Sequence, residues 1–441
     1  MLESSDSIYK SSGYARSRKA YIIQCAFEYF VSLMVADAFL AKLLRSMGAS
    51  DALCGIISSF ISLAMLFQLA SLFVVGRITN TKKVAVAVHG VSQFLFTALY
   101  LVPFLPMPDS IRRPVFIVCM LLAYFGNYLV VSVIFKWGMS FVDPRKRAGY
   151  SSVKEMVSLA SGIIVSLSLG AATDAFDGRG NTRGGFLLIA VCMAVFSLCD
   201  LICLLLIKNE PVKEKSQREP LLPALKFVFT DKSFLSVLLV QCAFNAAVYS
   251  TIGFMGTYKQ AELMYSVGQI QIINVAGVIC RFAVSRPFGR FSDRHTYHNG
   301  ILLGLILMSL GFFINVFTAP GTRWLVIVYT LLYSIACAGT SQNFNNITFS
   351  CVPDKYFVHA TVIKNSIAGV VGFLATLVSG KLMDHIQKGD NTFLGLHVYS
   401  QQVQSAISVL LLGITVLLLV NAKRSLKKQR LAEASARPSG D

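Results

Sequence analysis

The sequence predicts an all-α membrane protein of twelve transmembrane helices, arranged as two parallel six-helix bundles related by pseudo-two-fold symmetry. Its composition, its long apolar windows and an internal repeat support this fold class. Of the 441 residues, 55% are hydrophobic and only 14% are charged, whereas soluble domains carry about 25% charged residues. Too few polar side chains are therefore present to cover one or two soluble globules of this size.

Twelve apolar windows predict the individual spans, because each is roughly 20 residues long and can cross ~30 Å of hydrocarbon. A lipid-exposed backbone must satisfy its own hydrogen bonds, and these windows are too long for barrel strands, so we expect helices. The predicted spans are 20–43, 52–75, 84–105, 114–138, 150–172, 185–207, 233–257, 264–287, 299–318, 323–346, 358–382 and 400–421.

The second half of the chain repeats the first at an offset of 210 to 217 residues. The tetrapeptide at 24–27 recurs at 241–244. The other matching pairs include charges, glycines and amides, which apolar bias alone does not produce: Lys154 with Lys364, Gly162 with Gly372, Gly170 with Gly380, Asp174 with Asp384, and Asn181-Thr182 with Asn391-Thr392. Because six spans is an even number, both halves enter the membrane in the same direction.

The repeat and the polar, basic segment between its halves predict the domain boundaries. We expect an N-terminal leader at 1–19, a first bundle at 20–207, a linker at 208–232, a second bundle at 233–421 and a tail at 422–441. The leader, the linker and the tail are predicted to be cytoplasmic.

The formal net charge is +18, and the distribution of the lysines and arginines along the chain indicates the membrane topology. Of the 40 lysines and arginines, 26 fall on the side of the spans that holds both termini, 10 fall on the other side, and four lie inside spans. The positive-inside rule then makes both termini cytoplasmic. We expect a multi-pass protein of the plasma membrane, the cytoplasmic membrane in a bacterium, with no nucleic-acid partner.

A glycine-led basic motif lies in the loop after predicted span eight, at Gly289-Arg290-Phe291-Ser292-Asp293-Arg294. It is similar to the Gly-x-x-x-Asp-Arg loop signature of the major facilitator superfamily of secondary transporters. The continuation at 295–298 departs from that signature, and the first-half copy at 76–80 has Asn80 where the acid belongs. The twelve-span layout resembles the same superfamily over nearly the whole chain.

The resemblance implies alternating access, with a small-molecule site between the two halves of a chain that we expect to be a monomer. It also implies a conformational latch at the loop motifs, with Gly76, Arg77, Gly289, Asp293 and Arg294 as candidates. The alternative is that these residues have no latch role and only follow the positive-inside distribution of basic residues in cytoplasmic loops. Lys154, Glu155 and Lys364 lie just inside spans five and eleven, which favours gate ion pairs or snorkelling over substrate binding.

Two acids of predicted span one are candidates for proton coupling. Glu28 lies about nine residues into the span, roughly 13 Å at 1.5 Å per residue, and Asp37 lies further along it. A carboxyl group at membrane depth is costly and so defaults to a functional candidate. A structural hydrogen bond or ion pair and direct substrate contact remain open for Glu28, and a solvated role remains open for Asp37.

Polar side chains inside the other spans are candidates for the substrate cavity. In this superfamily spans one, four, seven and ten line the cavity, so the resemblance places most of these side chains around the solute. Amides bond hydroxyl groups and rings stack on apolar faces, although helix–helix hydrogen bonding also enriches Asn and Gln in spans. The candidates are Asn127, Tyr128, Lys136, Trp137, Gln241, Asn245, Tyr249, Arg281, Gln342, Asn343, Asn345 and Asn346.

The predicted function is secondary active transport of a small polar organic solute, such as a sugar or glycoside, moved with protons or another ion. The sequence has no P-loop for ATP and no hydrolase motif, so we expect no enzyme, no catalytic residues, no cofactor and no metal site. The alternatives are a proton-coupled exporter of drugs or metabolites and a non-transporting receptor or scaffold on the same fold.

Overall fold

The structure is a computed structural model that describes residues 14–74, 81–143, 147–209, 221–353, 356–393 and 395–436. The chain divides into two compact units, formed by Met1–Arg218 with Phe254–Ile272 and by Glu219–Gly253 with Ile273–Asp441. Unit 1 therefore contains most of the first half of the chain together with a short segment of the second half.

The described part of unit 1 is built from helices. Its helices are α1 (Ala15–Met34), α2 (Asp37–Ser46), α3 (Asp51–Ser58), α4 (Phe60–Val74), α5 (Thr81–Ala98), α6 (Asp109–Met139), α7 (Arg147–Gly178), α8 (Thr182–Leu206) and α11 (Met255–Ala261). Helix α1 packs on α7 and α8, α6 packs on α4 and α5, and α11 packs on α2 and α3. One core cluster gathers Tyr21, Trp137 and Phe141 between these helices.

Unit 2 has the longer helices. Its helices are α9 (Leu221–Thr230), α10 (Lys232–Tyr249), α12 (Val267–His295), α13 (Tyr297–Val316), α14 (Leu325–Cys351), α15 (Phe357–Lys388) and α16 (Ser400–Ala436), with α12 belonging to unit 2 from residue 273 onward. Helix α10 packs against α15 and α16, and α13 packs against α14 and α16.

Ten helical segments in the described ranges are long and apolar enough to cross a membrane. The pair α1–α2, which is bent by 45°, gives an eleventh if it forms one span. The predicted third span, 84–105, overlaps α5, whose 18 residues end at Ala98 and include Lys82, Lys83 and His89. Helix α5 is not among the ten, because these polar side chains lower its mean hydropathy.

Three local features were not predicted from the apolar windows. Span one breaks before Asp37, whose φ of 43° lies in the left-handed region that few residues other than Gly, Asn and Asp adopt. A two-stranded antiparallel pair, β1 (Thr392–Phe393) and β2 (Leu396–His397), turns through Gly395. The predicted linker contains helix α9. Its apolar pattern covers only ten residues, which is too short to distinguish a helix from a loop in the sequence.

Candidate functional site

A chain of polar side chains runs through the interior of unit 1 and begins at Glu28. The Gln24 amide donates to Glu28 Oε2 at 3.2 Å and to Asp200 Oδ1 at 2.7 Å. On the far side of the Asp200 carboxylate, His89 Nε2 lies 2.7 Å from Oδ2. Helices α1, α5 and α8 therefore bring two acids, one amide and one imidazole into a single hydrogen-bonded cluster.

The inner end of this cluster is sealed from solvent. The side chains of His89 and Asp200 are both 0% exposed, whereas Glu28 is half-buried. Asn127 of α6 lies beside His89. The buried atoms His89 Nδ1 and Asn127 Oδ1 have no hydrogen-bond partner within the described ranges, and they are complementary because a protonated ring nitrogen donates and an amide oxygen accepts.

Sequence reasoning missed His89 and Asp200, although both interrupt apolar runs in predicted spans three and six. The signal was present, because an acid in the run 198–206 is as costly at membrane depth as Glu28. What the sequence does not give is their pairing, since 111 positions separate the two residues.

Asp37 lies at the bend between α1 and α2 and forms an ion pair. Its Oδ2 is 3.6 Å from Lys259 Nζ, and the Lys259 side chain is only 5% exposed. Next to this pair, the Gln260 amide donates to the Ala38 carbonyl at 2.6 Å. The predicted proton-coupling residue Asp37 thus contacts the segment 254–272.

A second acid of unit 1 contacts the same segment. Asp174 of α7 accepts hydrogen bonds from Ser266 Oγ at 2.6 Å and from the Gly268 backbone N–H at 2.9 Å. A carboxylate in this position satisfies a free N–H in the first turn of α12 and complements the positive end of the helix dipole. The close approach requires glycine, because a Cβ at Gly268 would lie 2.5 Å from Asp174 Oδ2.

Glu262 follows α11 in the same segment. Burial raises the pKa of its carboxyl group, and the nearby Asp51 carboxylate adds to this effect while Arg45 opposes it. The ion pair between Arg45 Nε and Asp51 Oδ1, at 3.8 Å, is partly exposed.

The remaining candidates of predicted span four occupy different surroundings. Tyr128 is half-buried, with its ring 6.4 Å from that of Tyr124. Lys136 is exposed. Trp137 is 1% exposed in the core, and its indole N–H donates to the Lys208 carbonyl at 2.8 Å.

In unit 2, the candidates of predicted span seven lie on α10. Gln241 is half-buried and its amide donates to Asn245 Oδ1 at 3.3 Å, while Asn245 itself is 6% exposed. Tyr249 is half-buried, and its carbonyl accepts from Thr376 Oγ1. Arg281 of α12 is exposed. The candidates on helix α10 are thus uncharged, and two of them are joined by an amide–amide hydrogen bond.

The amide side chains of α14 differ in how deeply they are buried. Asn343 is 3% exposed and its amide donates to Ser292 Oγ at 2.9 Å and to the Gly339 carbonyl at 2.7 Å. Asn345 is exposed and Asn346 is half-buried. The side chain of the remaining candidate, Gln342, lies outside the described part of the structure.

We expect Asn343→Ala and Asn345→Ala to differ sharply in their effect on stability. Asn343→Ala leaves the buried Ser292 hydroxyl without its donor and should lower the free energy of unfolding by about 1–3 kcal/mol. Asn345→Ala should change it by less than about 0.5 kcal/mol, because the side chain is exposed. Thermal melting of the purified variants in detergent tests this difference, and equal shifts would contradict it.

Only some of the gate candidates lie within the described residues. Gly76 and Arg77 lie outside the described residues, as does the side chain of Asp293. Gly289 is half-buried, with open space where a Cβ would lie, and Arg294 and Glu155 are exposed.

The two lysines of the repeat differ in their surroundings. Lys154 Nζ lies 5.7 Å from the centre of the Tyr21 ring and 5.8 Å from that of Phe135. Lys364 is 1% exposed, and its amine donates to Thr348 Oγ1 at 2.9 Å and to the Phe344 carbonyl at 3.1 Å. Its neutral partners and its burial favour a position inside unit 2 over snorkelling.

An apolar groove of about 860 Å³ lies along α5 and α8 in unit 1. Phe94, Leu95 and Leu201 line it, and Lys82 and Lys83 stand at one end. These surroundings suit a hydrocarbon chain better than a polar solute. Within the described ranges, no group of three or more His, Cys, Asp or Glu side chains is arranged to hold a metal ion.

The helices, their apolar spans and the buried ionisable clusters define a polytopic membrane protein. Residues 20–376 match the family model of the Major Facilitator Superfamily. The chain belongs to this superfamily and is a secondary transporter, not an enzyme. A search of curated proteins finds no match.

Solved structures with the same fold include transporters of different solutes. A mutant form of the nucleoside transporter NupG is similar over 92% of this chain and 99% of its own, with a TM-score of 0.72 and 14% identity. The POT family transporter PepTSo matches over 94% and 99%, with a TM-score of 0.71 and 10% identity. A D-xylose–proton symporter matches over 92% and 97%, with a TM-score of 0.66 and 12% identity. At these identities the likeness shows the fold alone.

Proposed function

We propose that this transporter moves a small polar organic solute, such as a sugar or glycoside, together with protons by alternating access. Both termini are cytoplasmic in this proposal, as the distribution of lysine and arginine indicates. The proposed membrane is the plasma membrane, and the proposed working form is a monomer.

The observation that carries the proton coupling is the position of Glu28. Its carboxylate is half-buried in α1 and is hydrogen-bonded to Gln24, which also contacts the fully buried Asp200. A carboxyl group at membrane depth is by default a candidate for a functional role, and it can carry one proton. The Glu28 side chain is half-buried, so in this proposal its exposed part exchanges protons with water.

The substrate class rests on the uncharged polar side chains. Asn127 and Tyr128 in unit 1, and Gln241 and Tyr249 in unit 2, are half-buried, so they are accessible without being fully solvated. Amides and phenols hydrogen-bond hydroxyl groups, and the rings offer apolar faces to a sugar. The similar structures include a nucleoside transporter and a xylose–proton symporter, which is compatible with this class but does not select it.

Uptake of a panel of labelled sugars and glycosides into proteoliposomes tests the proposal. We expect uptake of at least one solute against its gradient when a pH gradient is imposed, and its loss on addition of a protonophore. No protonophore-sensitive uptake across the panel would overturn the proposal. Proton-driven extrusion of hydrophobic cations would favour the exporter instead.

A further inference from the structure

The buried pair in unit 1 has a charge that must be balanced within the protein. Asp200 is 0% exposed, and a carboxylate in that position needs a cationic or protonated partner. His89 Nε2, at 2.7 Å, is the partner that the geometry provides. With neutral imidazole the pair carries one negative charge, and with imidazolium it is neutral.

The groups around His89 favour the second arrangement. The Asp200 carboxylate of α8 accepts a hydrogen bond from the His89 Nε2–H group. Glu28 of α1 adds a second negative charge near the imidazole ring. From α6, Asn127 contributes an amide whose buried Oδ1 lacks a hydrogen-bond partner in the described structure, as does His89 Nδ1. A proton on Nδ1 would therefore have an acceptor, and both ring N–H groups would be satisfied.

We propose that His89 and Asp200 form a proton-binding site inside the first bundle, with Glu28 as its half-buried entrance. A proton moves inward when the O–H bond of the protonated Glu28 carboxyl group breaks and an N–H bond forms on the Nδ1 lone pair of His89, which leaves Glu28 as a carboxylate and His89 as an imidazolium ion. Gln24 fixes the two carboxylates through its two amide hydrogens. The coupling role of this site rests on the proposed proton symport, whereas the protonation of His89 does not.

Three variants separate protonation from folding. His89→Gln leaves Asp200 buried without a cation and Asp200→Asn removes the anion, so each should lower the melting temperature. The combined variant pairs two neutral hydrogen-bonding groups, and we expect it to recover the melting temperature but not proton-driven accumulation. Accumulation that returns together with the fold would show that the pair is only structural and would overturn the proposal.

A spectroscopic measurement tests protonation without any solute. In ¹⁵N-histidine-labelled protein at neutral pH, the signal that disappears in His89→Gln should have the shift of an imidazolium ion, and it should change to the neutral form in Asp200→Asn. A neutral His89 signal in the unmodified protein would overturn the proton-binding site. If the protein shows no proton-driven uptake but His89 is an imidazolium ion, the symport proposal fails and the site stands.

A second inference comes from the segment 254–272, which belongs to unit 1 and is most deeply buried in α11. In α11, Thr257 is 1% exposed, Tyr258 is 0% exposed and Lys259 is 4% exposed. Phe254 covers Gly55 so closely that a Cβ there would lie 2.0 Å from the Phe254 ring. This segment belongs to the second half of the chain, and it is continuous with α10 and α12, which run into unit 2.

Two carboxylates from different helices hold this segment. Asp37 pairs with Lys259 at 3.6 Å, and Asp174 binds Ser266 and the N-terminus of α12. A partly buried ion pair and a carboxylate at a helix N-terminus are interactions that hold one arrangement and are lost when the elements separate. We propose that Asp37 and Asp174 form a two-point clasp that holds segment 254–272 in one state of the transport cycle and releases it in another.

A cysteine on the segment itself reports its release. Thr257→Cys places a thiol at a fully buried position, and site-resolved mass spectrometry measures its labelling by a membrane-impermeant maleimide. We expect labelling to become about tenfold faster when Asp37→Asn and Asp174→Asn are added together, because both contacts that hold the segment are then weakened. Asp177→Asn is the matched control, since Asp177 pairs with Lys42 and does not contact the segment.

Unchanged labelling of Thr257→Cys in the double variant would overturn the clasp. If that variant does not fold, Lys259→Met with Ser266→Ala removes the side-chain contacts from the segment side and leaves only the Gly268 N–H bond to Asp174. Faster labelling of Thr257→Cys is then still expected. A labelling rate that rises equally in Asp177→Asn would also overturn it, because the effect would then be a general loosening of unit 1.

Discussion

Glu28→Gln should abolish proton-driven accumulation of the transported solute while leaving exchange of solute across the membrane intact. Glutamine keeps a hydrogen-bonding group next to Gln24 but has no carboxylate to bind a proton. A gradient of about one pH unit supports roughly tenfold accumulation at one proton per solute, because 1.4 kcal/mol corresponds to a factor of ten. We therefore expect the variant to lose this tenfold ratio and to equilibrate the solute.

Proteoliposomes with an imposed pH gradient measure accumulation, and counterflow measures exchange. Asp109→Asn is the control, because Asp109 is a carboxylate at the start of α6 whose side chain is 62% exposed and pairs with Arg112, so it should not affect coupling. Full accumulation in Glu28→Gln would remove Glu28 from the coupling mechanism. Loss of both accumulation and counterflow would assign Glu28 to substrate binding or to the fold, and a melting curve separates those two roles.

Trp137→Ala should be the most destabilising single truncation among the candidate site residues. The side chain is 1% exposed within a cluster that includes Tyr21 and Phe141, and its indole N–H satisfies the Lys208 carbonyl. Truncating a buried Trp removes about 3–5 kcal/mol from the free energy of unfolding. The lost hydrogen bond to Lys208 adds to this loss.

The chain supplies its own control, because it has only two tryptophans. Trp324 is 59% exposed, so Trp324→Ala should leave the melting temperature nearly unchanged. Thermal melting followed by intrinsic fluorescence of the remaining Trp reports on both variants. A melting temperature for Trp137→Ala equal to that of Trp324→Ala would contradict the core position of Trp137. A rise in the KM of transport without a change in melting temperature would indicate that Trp137 contacts the substrate.

The fold class could be predicted because membrane spans depend on local composition. Each predicted span is visible as an apolar window, and the superfamily resemblance at 289–294 is confirmed by the family match. The break before Asp37 could not be predicted in the same way. Residues 20–43 form one continuous apolar window, and the bend depends on a single left-handed residue held by Lys259, which is more than 200 positions away.

The candidate site was less predictable for a related reason. Apolar periodicity does not distinguish a polar side chain that faces the interior of a bundle from one that faces a cavity. Asn343 and Asn345 are near neighbours on one helix, yet one donates two buried hydrogen bonds and the other is exposed. The pairing of His89 with Asp200 likewise depends on how α5 packs on α8, which no local pattern encodes.

A protonated Lys364 would couple unit 2 to the membrane voltage. Its amine is buried among neutral acceptors of α14, and no ion pair in the described residues includes it. A positive charge inside a protein that spans the membrane interacts with the transmembrane field, at ~2.3 kcal/mol per elementary charge for a full crossing at 100 mV. Any displacement of α15 along the membrane normal would carry this charge through part of that field. The resting potential would then favour one conformation of unit 2 over another, even with no solute bound.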